Sequence, residues 1–356
     1  MDKSSQKLET FQSEPALEHG SSTEYHELER KLESRHIQFI ALGGAIGTGL
    51  FLGIGRALTQ AGPLSLLLGY SISGAAIFCM MQSLGEMCTW LPLPGAIPQF
   101  ADRWVDPALG FAIGWNIAAV SVVIQYWEGA QGVNVAVWIT ILIVLVACIN
   151  LFAVSVYGEV EFYFAGVKVI AIIGLILLAF LIDLGATGQG RIGFRYWKDP
   201  GAMKEYVATG DLGRFLGFFS TLVNAAFSFG GIETVAVAGG EAKNPRRNIP
   251  KAVRRVFWRI LFFYVLGALA VGVLVPSNDE KLLSAQANGS KGAAASPWVI
   301  AITHAKIKVL PSIINGVILS SASSAANAMT FNGSRYLFAL SKNGQAPKIF
   351  QKCNKR

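Results

Sequence analysis

The amino-acid sequence predicts an all-α integral membrane protein with about eight transmembrane helices. Its composition excludes an ordinary soluble domain, because 53% of the 356 residues are hydrophobic and only 15% are charged, whereas soluble domains carry about 25% charged residues. The apolar residues form long stretches nearly free of charge, each close to or above the roughly 20 residues that a helix needs to cross a bilayer. Strands of a membrane barrel would alternate in polarity over about ten residues, and a run such as 139–148 does not alternate.

The predicted helices follow a polar N-terminal tail. This tail, residues 1–35, lacks the short apolar core of a cleavable signal peptide. The helices are predicted at residues 37–58, 64–89, 109–127, 134–155, 162–184, 215–240, 256–275 and 309–338.

Basic residues indicate how these helices are oriented. The lysines and arginines behind the net charge of +8 gather between apolar runs, which indicates topology rather than a nucleic-acid partner. Two connections hold many of them, the first with Lys243, Arg246, Arg247, Lys251, Arg254, Arg255 and Arg259 and the second with Lys342, Lys348, Lys352, Lys355 and Arg356. With eight spans, both connections lie on the side of the N-terminal tail, which the positive-inside rule assigns to the cytoplasm. The loop 185–214 and the sequon at Asn288 are then extracellular, and residues 339–356 are cytoplasmic.

The sequence predicts neither a catalytic centre nor a metal site. The four cysteines have no CxxC spacing, and the four histidines show no HExxH motif or clustered spacing. A membrane-embedded enzyme, a metal ion and a cofactor are therefore not expected.

Two glycine-rich segments interrupt predicted helices. The first helix contains residues 43–51, GGAIGTGLF, and the sixth contains residues 227–234, FSFGGIET. They lie five helices apart, as the discontinuous first helices of an inverted five-helix repeat would, which places the two repeats at 36–184 and 215–338. At such breaks, backbone N–H groups bind a carboxylate and freed carbonyls bind an ammonium. The pair therefore predicts a zwitterionic ligand, an amino acid.

Close helix packing is a second explanation of these glycines. Gly43 and Gly47 have the spacing of closely packed helices, as do Gly49 and Gly53, and for either segment alone packing explains the sequence as well as a break. The occurrence of both segments at corresponding places favours breaks. A nucleotide-binding loop is excluded, because no strand precedes the glycines and no acidic residue follows at about twenty positions.

Two of the charged residues inside the predicted helices are candidates for proton coupling, Glu233 and Lys168. Glu233 is placed deep in the sixth helix, where a carboxylate costs about 2.5–3.5 kcal/mol unless it is paired, hydrated or protonated. It is predicted to face a cavity and couple transport to protons, or to be a structural carboxylate bonded to the broken backbone. Lys168, in the fifth helix, is predicted to act in the same coupling as an ammonium in a cation site, or to extend its stem to the headgroups.

Polar side chains form a band along the eighth helix. Its members are Ser320, Ser321, Ser323, Ser324, Asn327 and Thr330. Ser323, Ser324 and Asn327 are the candidates for a wall of the site, and hydroxyls bonding to carbonyls of their own helix are the alternative.

Three stretches of this sequence resemble the fungal amino-acid permeases of the amino acid–polyamine–organocation superfamily. They are GAIGTGLFLGIG, FSFGGIETVAVAGGEAKNPRRNIPKAVRRVFWRI and SSAANAMTFNGSRYLFALSKNGQAPKIF, and the resemblance runs from about residue 26 to the end. It implies the leucine-transporter fold with twelve helices, and proton-driven uptake of amino acids at the plasma membrane.

The resemblance also implies a set of site residues. The substrate-binding positions are the amides of Gly47, Thr48 and Gly49, the carbonyls of Ala45 and Ile46, the covering ring of Phe227, and the sixth-helix backbone at Ser228, Gly230 and Gly231. Glu233 matches the acidic coupling residue of the family. Lys168 matches a lysine that takes the place of a sodium ion in bacterial relatives.

The sequence departs from the family pattern in two places. Gly114 and Trp127 mark the ends of a third helix that is shorter than usual, and the chain ends at Arg356, before a ninth helix. The sequence therefore predicts a partial leucine-transporter fold whose second repeat is incomplete. Two functions remain open at this point. The first is proton-coupled uptake of a neutral or small, proline-like amino acid. The second is a transport-incompetent form that binds amino acids as a receptor or regulator. Acidic substrates are an alternative for the first.

Overall fold

The computed structural model describes most of the chain outside the N-terminal tail. The described residues are 32–93, 95–112, 154–188, 190–287, 296–307 and 309–352, with single positions at 140, 144 and 148. Predictions for the tail 1–31, for most of the third and fourth helices and for the sequon at Asn288 lie outside the described residues. The count of eight spans stays a prediction for the same reason.

The first two predicted helices are joined almost without a loop. Helix α1, Ser34–Ala45, is followed by a π-helical turn, Gly49–Gly53, and by helix α2, Ile54–Trp90. Within α2 the chain changes direction at Gly62, whose φ of 82° favours glycine, and a Cβ there would lie 2.8 Å from the carbonyl oxygen of Ala202. Pro63 then begins a new helical run, where its missing N–H costs nothing. At 1.5 Å per residue, residues 35–90 have a helical length of roughly 84 Å, which is more than one crossing of a bilayer needs.

The remaining described helices follow in chain order. They are α3, Ala96–Trp104; α4, Val154–Asp183; α5, Gly210–Ser228; α6, Thr234–Ala238; α7, Pro245–Leu274; α8, Glu280–Ala287; α9, Pro297–His304; and α10, Leu310–Lys342. Proline opens α7 and α9 and lies within the first two positions of α10, where a helix tolerates it best. Among the described residues, three helical stretches are long and apolar enough to cross a membrane, namely Arg35–Trp90, Val156–Asp183 and Pro245–Leu274.

Several boundaries differ from the predicted ones. Helix α4 begins at Val154 rather than 162, and α7 begins at Pro245 rather than 256. Both differences arise because charged turns at a helix end carry no apolar signal, although their backbone is helical. The predicted sixth helix, 215–240, is two helices, α5 and α6, separated at its glycines.

Helix α1 and its break lie at the centre of the described structure. Helix α1 packs against α4, α7 and α10, and α2 packs against α5 and α7. The opposite face of α4 is apolar and exposed, with large side chains three or four residues apart. They are Tyr163, Val167, Ile170, Ile173, Leu177 and Phe180. An apolar stripe at helical spacing that faces outward is expected of a helix bordered by lipid.

Candidate functional site

The first helix is broken where the glycine-rich segment predicted. Helix α1 ends at Ala45, and Ile46 leaves the helical region with φ −76° and ψ 83°. The amide of Gly47 donates to the carbonyl of Ala45 at 2.9 Å, which closes a tight turn. The helical backbone resumes at Thr48. The first N–H groups after such a restart, here those of Thr48 and Gly49, have no acceptor within the helix and carry partial positive charge.

The sixth helix is also broken where predicted. Helix α5 ends at Ser228 and α6 begins at Thr234. Between them Gly231 has φ +97°, a conformation that an L side chain rarely adopts. The half-buried Glu233 accepts a hydrogen bond from the amide of Gly231 through Oε2 at 2.8 Å. Glu233 therefore makes the structural bond to broken backbone that was the alternative to coupling, and its coupling role stays a prediction.

The two breaks lie directly against each other. A Cβ on Gly49 would lie 2.8 Å from the Cα of Ser228, and a Cβ on Gly231 would lie 2.5 Å from the carbonyl oxygen of Gly44. With backbone atoms this close, any side chain at Gly49 or Gly231 would force the two breaks apart. The glycines thus serve both purposes that the sequence left open, since they pack helices closely and also lie at breaks.

A tyrosine hydroxyl joins the two breaks. Tyr264, which is completely buried on α7, has its Oη 2.8 Å from the carbonyl oxygen of Ala45 and 2.6 Å from that of Ser228. One phenolic proton serves only one acceptor fully. The carbonyl of Ala45 also accepts the Gly47 amide, so the carbonyl of Ser228 is the one that depends on the Tyr264 hydroxyl. Tyr70 on α2 lies 2.9 Å from Oγ of Ser228. The sequence reasoning missed both tyrosines, because a tyrosine in an apolar helix does not reveal which group its hydroxyl will bond.

Phe229 rather than Phe227 packs among these rings. The Phe229 ring is 2% exposed and stacks on Tyr264 with centroids 4.6 Å apart. Phe227, two residues earlier, is 74% exposed, so its ring does not cover the breaks in this conformation. Gly230, the residue after Phe229, donates its amide to the carbonyl of Phe227 at 3.1 Å.

A buried charged cluster lies beside the first break. Lys168 is 0% exposed and donates to the carbonyl of Gly43 at 2.5 Å and to Oγ of Ser324 at 2.8 Å. The Ser324 hydroxyl donates in turn to Glu161, which is also 0% exposed, and the amide of Asn327 lies 3.4 Å from the same carboxylate. The alternative in which Lys168 extends to the headgroups is therefore wrong, since its ammonium is bonded inside the protein.

Sequence reasoning missed Glu161, although a signal was present. Glu161 and Lys168 are seven residues apart on α4, so they lie on one face two turns from each other. Because this helix was predicted to start at residue 162, Glu161 was placed just outside the membrane and was not considered as a buried charge. A charged pair with this spacing would have identified the face of α4 that is buried against α1 and α10.

The polar band of α10 divides between the two explanations. Ser320, Ser323 and Thr330 bond to carbonyls of their own helix, as the alternative predicted. Ser324 and Asn327 reach the Glu161 cluster, and Ser321 donates to the carbonyl of Ile46 at 3.0 Å. Ser321 thus contacts the first break directly, and Ser323 does not. Among the described residues, no three His, Cys, Asp or Glu side chains come together as a metal site would require.

Comparisons with known proteins identify the family. The family model for amino acid permeases matches residues 36–356. Over 88% of its length the chain is 50% identical to a probable proline-specific permease of Schizosaccharomyces pombe. It is 46% identical over 94% of its length to the proline-specific permease of Saccharomyces cerevisiae, and 43% identical over 96% to that of Emericella nidulans.

The chain spans 59%, 56% and 64% of the lengths of these three relatives, respectively. The family match nevertheless covers the described helices apart from the first two residues of α1, and it includes both breaks and the charged cluster of α4 and α10. The chain belongs to the amino acid permease family.

Proposed function

We propose that this chain binds an amino acid at the two helix breaks and carries it into the cell by alternating access, in symport with protons. The observation that carries the proposal is the direct contact of two interrupted helices, which brings the amides of the first break close to two carbonyls, one from each break, that share a single tyrosine proton. We place the chain in the plasma membrane with its N-terminal tail in the cytoplasm. Its helices then form part of a leucine-transporter fold, in which one group of helices moves against the rest around this site.

The breaks offer partners for both poles of an amino acid. The carboxylate binds the amides of Thr48 and Gly49, where the restarted helix concentrates partial positive charge. The ammonium binds the carbonyls of Ala45 and Ser228, which share a single proton from Tyr264 in this structure. An arriving ammonium replaces that shared bond with charge-assisted ones, which are about twice as strong as neutral hydrogen bonds.

The geometry at Tyr264 favours a proline-like substrate. The secondary ammonium of proline has two N–H donors. It can therefore give one to each of the two carbonyls that share the single proton of Tyr264. The names of the relatives agree with this choice, since three of them are described as proline-specific or probably so. A primary ammonium has a third N–H, which needs a further acceptor.

Proton coupling is assigned to the cluster at α4, with Lys168 as its centre and Glu233 as a second carboxylate at the breaks. When Lys168 is protonated, its ammonium binds the carbonyl of Gly43 and holds α1 against α4 and α10. Loss of that proton removes a charge-assisted bond to α1 and frees the helix that carries the first break. Glu161 stabilises the protonated lysine through Ser324, so the three residues link proton occupancy to the position of α1.

The test is uptake of radiolabelled proline by the purified chain in proteoliposomes. With the outside acidic, accumulation above equilibrium is expected, and it should collapse when a protonophore removes the gradient. The variant Gly49→Val should abolish proline binding because its side chain meets Ser228. Gly316→Val is the matched control, because a Cβ at Gly316 meets nothing within 4 Å.

Two results would contradict the proposal. Proline binding that survives Gly49→Val would exclude the breaks as the binding site. Binding without accumulation under any gradient would exclude transport by this chain.

A further inference from the structure

A groove with both signs of charge lies at the end of α2 where α7 begins. Its cavity volume is about 480 Å³, within the range of small-molecule sites. Polar and aromatic side chains of both helices line it, namely Gln82, Glu86, Thr89, Trp90, Arg246 and Arg254. None of the residues at the two helix breaks lines the groove, and the proposed transport does not use it.

Helical spacing explains why these side chains converge. On α2, Gln82 and Glu86 are one turn apart on the same face, as are Glu86 and Trp90. On α7, Arg246 and Arg254 are two turns apart on the face that packs against α2. The floor is formed by close packing, since a Cβ on Gly85 would lie 3.2 Å from a methyl carbon of Val253. The groove is thus fixed by two rigid helices rather than by loops.

The charges in the groove have no partner of opposite charge in the part of the chain that the structure describes. None of the ion pairs found among the described residues includes Arg246, Arg254 or Glu86. All three are exposed. The N-terminal end of α7 adds partial positive charge near Arg246. An occupant of this groove must therefore carry negative charge for the arginines and a positive, hydrogen-bonding group for Glu86.

The position of the groove indicates a lipid. Arg254 lies six residues before Ile260, from which α7 continues without charge to its end, so it lies near the boundary between hydrocarbon and headgroups. Trp90, 69% exposed at the end of α2, has the amphipathic ring that this interface favours. Basic pockets between transmembrane helices at this level bind phospholipid headgroups.

We propose that this groove binds the headgroup of an aminophospholipid, with the phosphodiester between Arg246 and Arg254 and the primary ammonium on Glu86. Guanidinium groups match phosphate oxygens in geometry as well as charge. A carboxylate accepts hydrogen bonds from the N–H groups of ethanolamine or serine. It accepts none from choline, whose quaternary nitrogen has no hydrogen.

The test is a lipid titration of the purified full chain in detergent, with bound lipid counted by native mass spectrometry. Four lipids with identical acyl chains are compared, carrying ethanolamine, serine, choline or glycerol headgroups. The two aminophospholipids should bind more tightly than the other two. Arg246→Gln and Arg254→Gln should each weaken that binding about fivefold, because one basic residue at a lipid surface contributes about 1 kcal/mol.

Matched variants separate a built site from general surface charge. Arg247→Gln and Arg255→Gln remove equally exposed arginines of the same helix that do not line the groove, and they should leave lipid binding unchanged. Glu86→Gln should abolish the preference for ethanolamine over glycerol headgroups. Equal losses in all four arginine variants, or equal binding of all four lipids by the wild-type chain, would overturn the proposal.

Discussion

Replacing Tyr264 by phenylalanine tests whether substrate and protein compete for the same two carbonyls. The change removes one hydroxyl that lies 2.8 Å from the carbonyl oxygen of Ala45 and 2.6 Å from that of Ser228, and it leaves the ring that stacks on Phe229. The carbonyl of Ala45 keeps the bond from the Gly47 amide, so the acceptor that loses its donor is the carbonyl of Ser228, and such a loss costs about 1–3 kcal/mol. We expect the substrate-free variant to be destabilised by that amount.

Substrate should reverse most of this loss. If the ammonium of proline binds the carbonyls of Ala45 and Ser228, both carbonyls are satisfied in the complex with or without the tyrosine. The free energy lost in the substrate-free form then reappears as tighter binding. A difference of about 1.4 kcal/mol corresponds to a tenfold lower Kd.

The assay combines thermal unfolding in detergent with a proline binding isotherm for each variant. Tyr70→Phe is the control, because the Tyr70 hydroxyl meets only the Ser228 side chain, whose hydroxyl can rotate toward another partner. Tyr264→Phe should lower the Tm without proline and lower it less with saturating proline. Equal destabilisation in both conditions, with an unchanged Kd, would refute the competition for these carbonyls.

Three further predictions concern the breaks and the charged cluster. Gly231→Ala should destabilise the protein by more than about 1–2 kcal/mol. Gly188→Ala is the control for backbone strain, because Gly188 also has a positive φ but a Cβ there meets nothing within 4 Å. Equal Tm losses in the two variants would contradict the close approach of the breaks. Lys168→Met should lower the free energy of unfolding by about 3–5 kcal/mol, because it leaves Glu161 buried without its cation. Adding Glu161→Gln should recover part of this loss in denaturation measurements. If the two losses simply add in the double variant, Lys168 and Glu161 do not interact. Glu233→Gln should keep the fold, since the glutamine oxygen still accepts the hydrogen bond from the Gly231 amide. Proline uptake by this variant should depend less on external pH. An unchanged pH profile would leave Glu233 with a purely structural role.

Sequence reasoning located both helix breaks because the bilayer allows few solutions. Backbone groups at membrane depth must be bonded unless a helix is broken toward protein or a cavity. Glycine pairs at corresponding places in two apolar helices therefore indicate breaks without any knowledge of the tertiary structure. The same reasoning placed Lys168 and Glu233 in the membrane, since charge is rare in such helices.

Contacts between distant segments could not be predicted in the same way. Whether Glu233 bonds to its own backbone or faces a partner depends on the turn at Gly231, and the choice between Phe227 and Phe229 depends on the residue at which α5 ends. Tyr264 reaches the carbonyls of Ala45 and Ser228 only because α7 packs along both breaks.

The sequence by itself determined a helical membrane chain, the position of its two breaks and the presence of Lys168 and Glu233 inside its helices. Only the tertiary structure decided that the breaks touch, that Tyr264 joins them and that Glu161 completes the cluster around Lys168. The physical reason is that the bilayer acts on each residue through its local chain, and so leaves a pattern in the sequence. Hydrogen bonds between helices depend on register and packing, which no single stretch of sequence records.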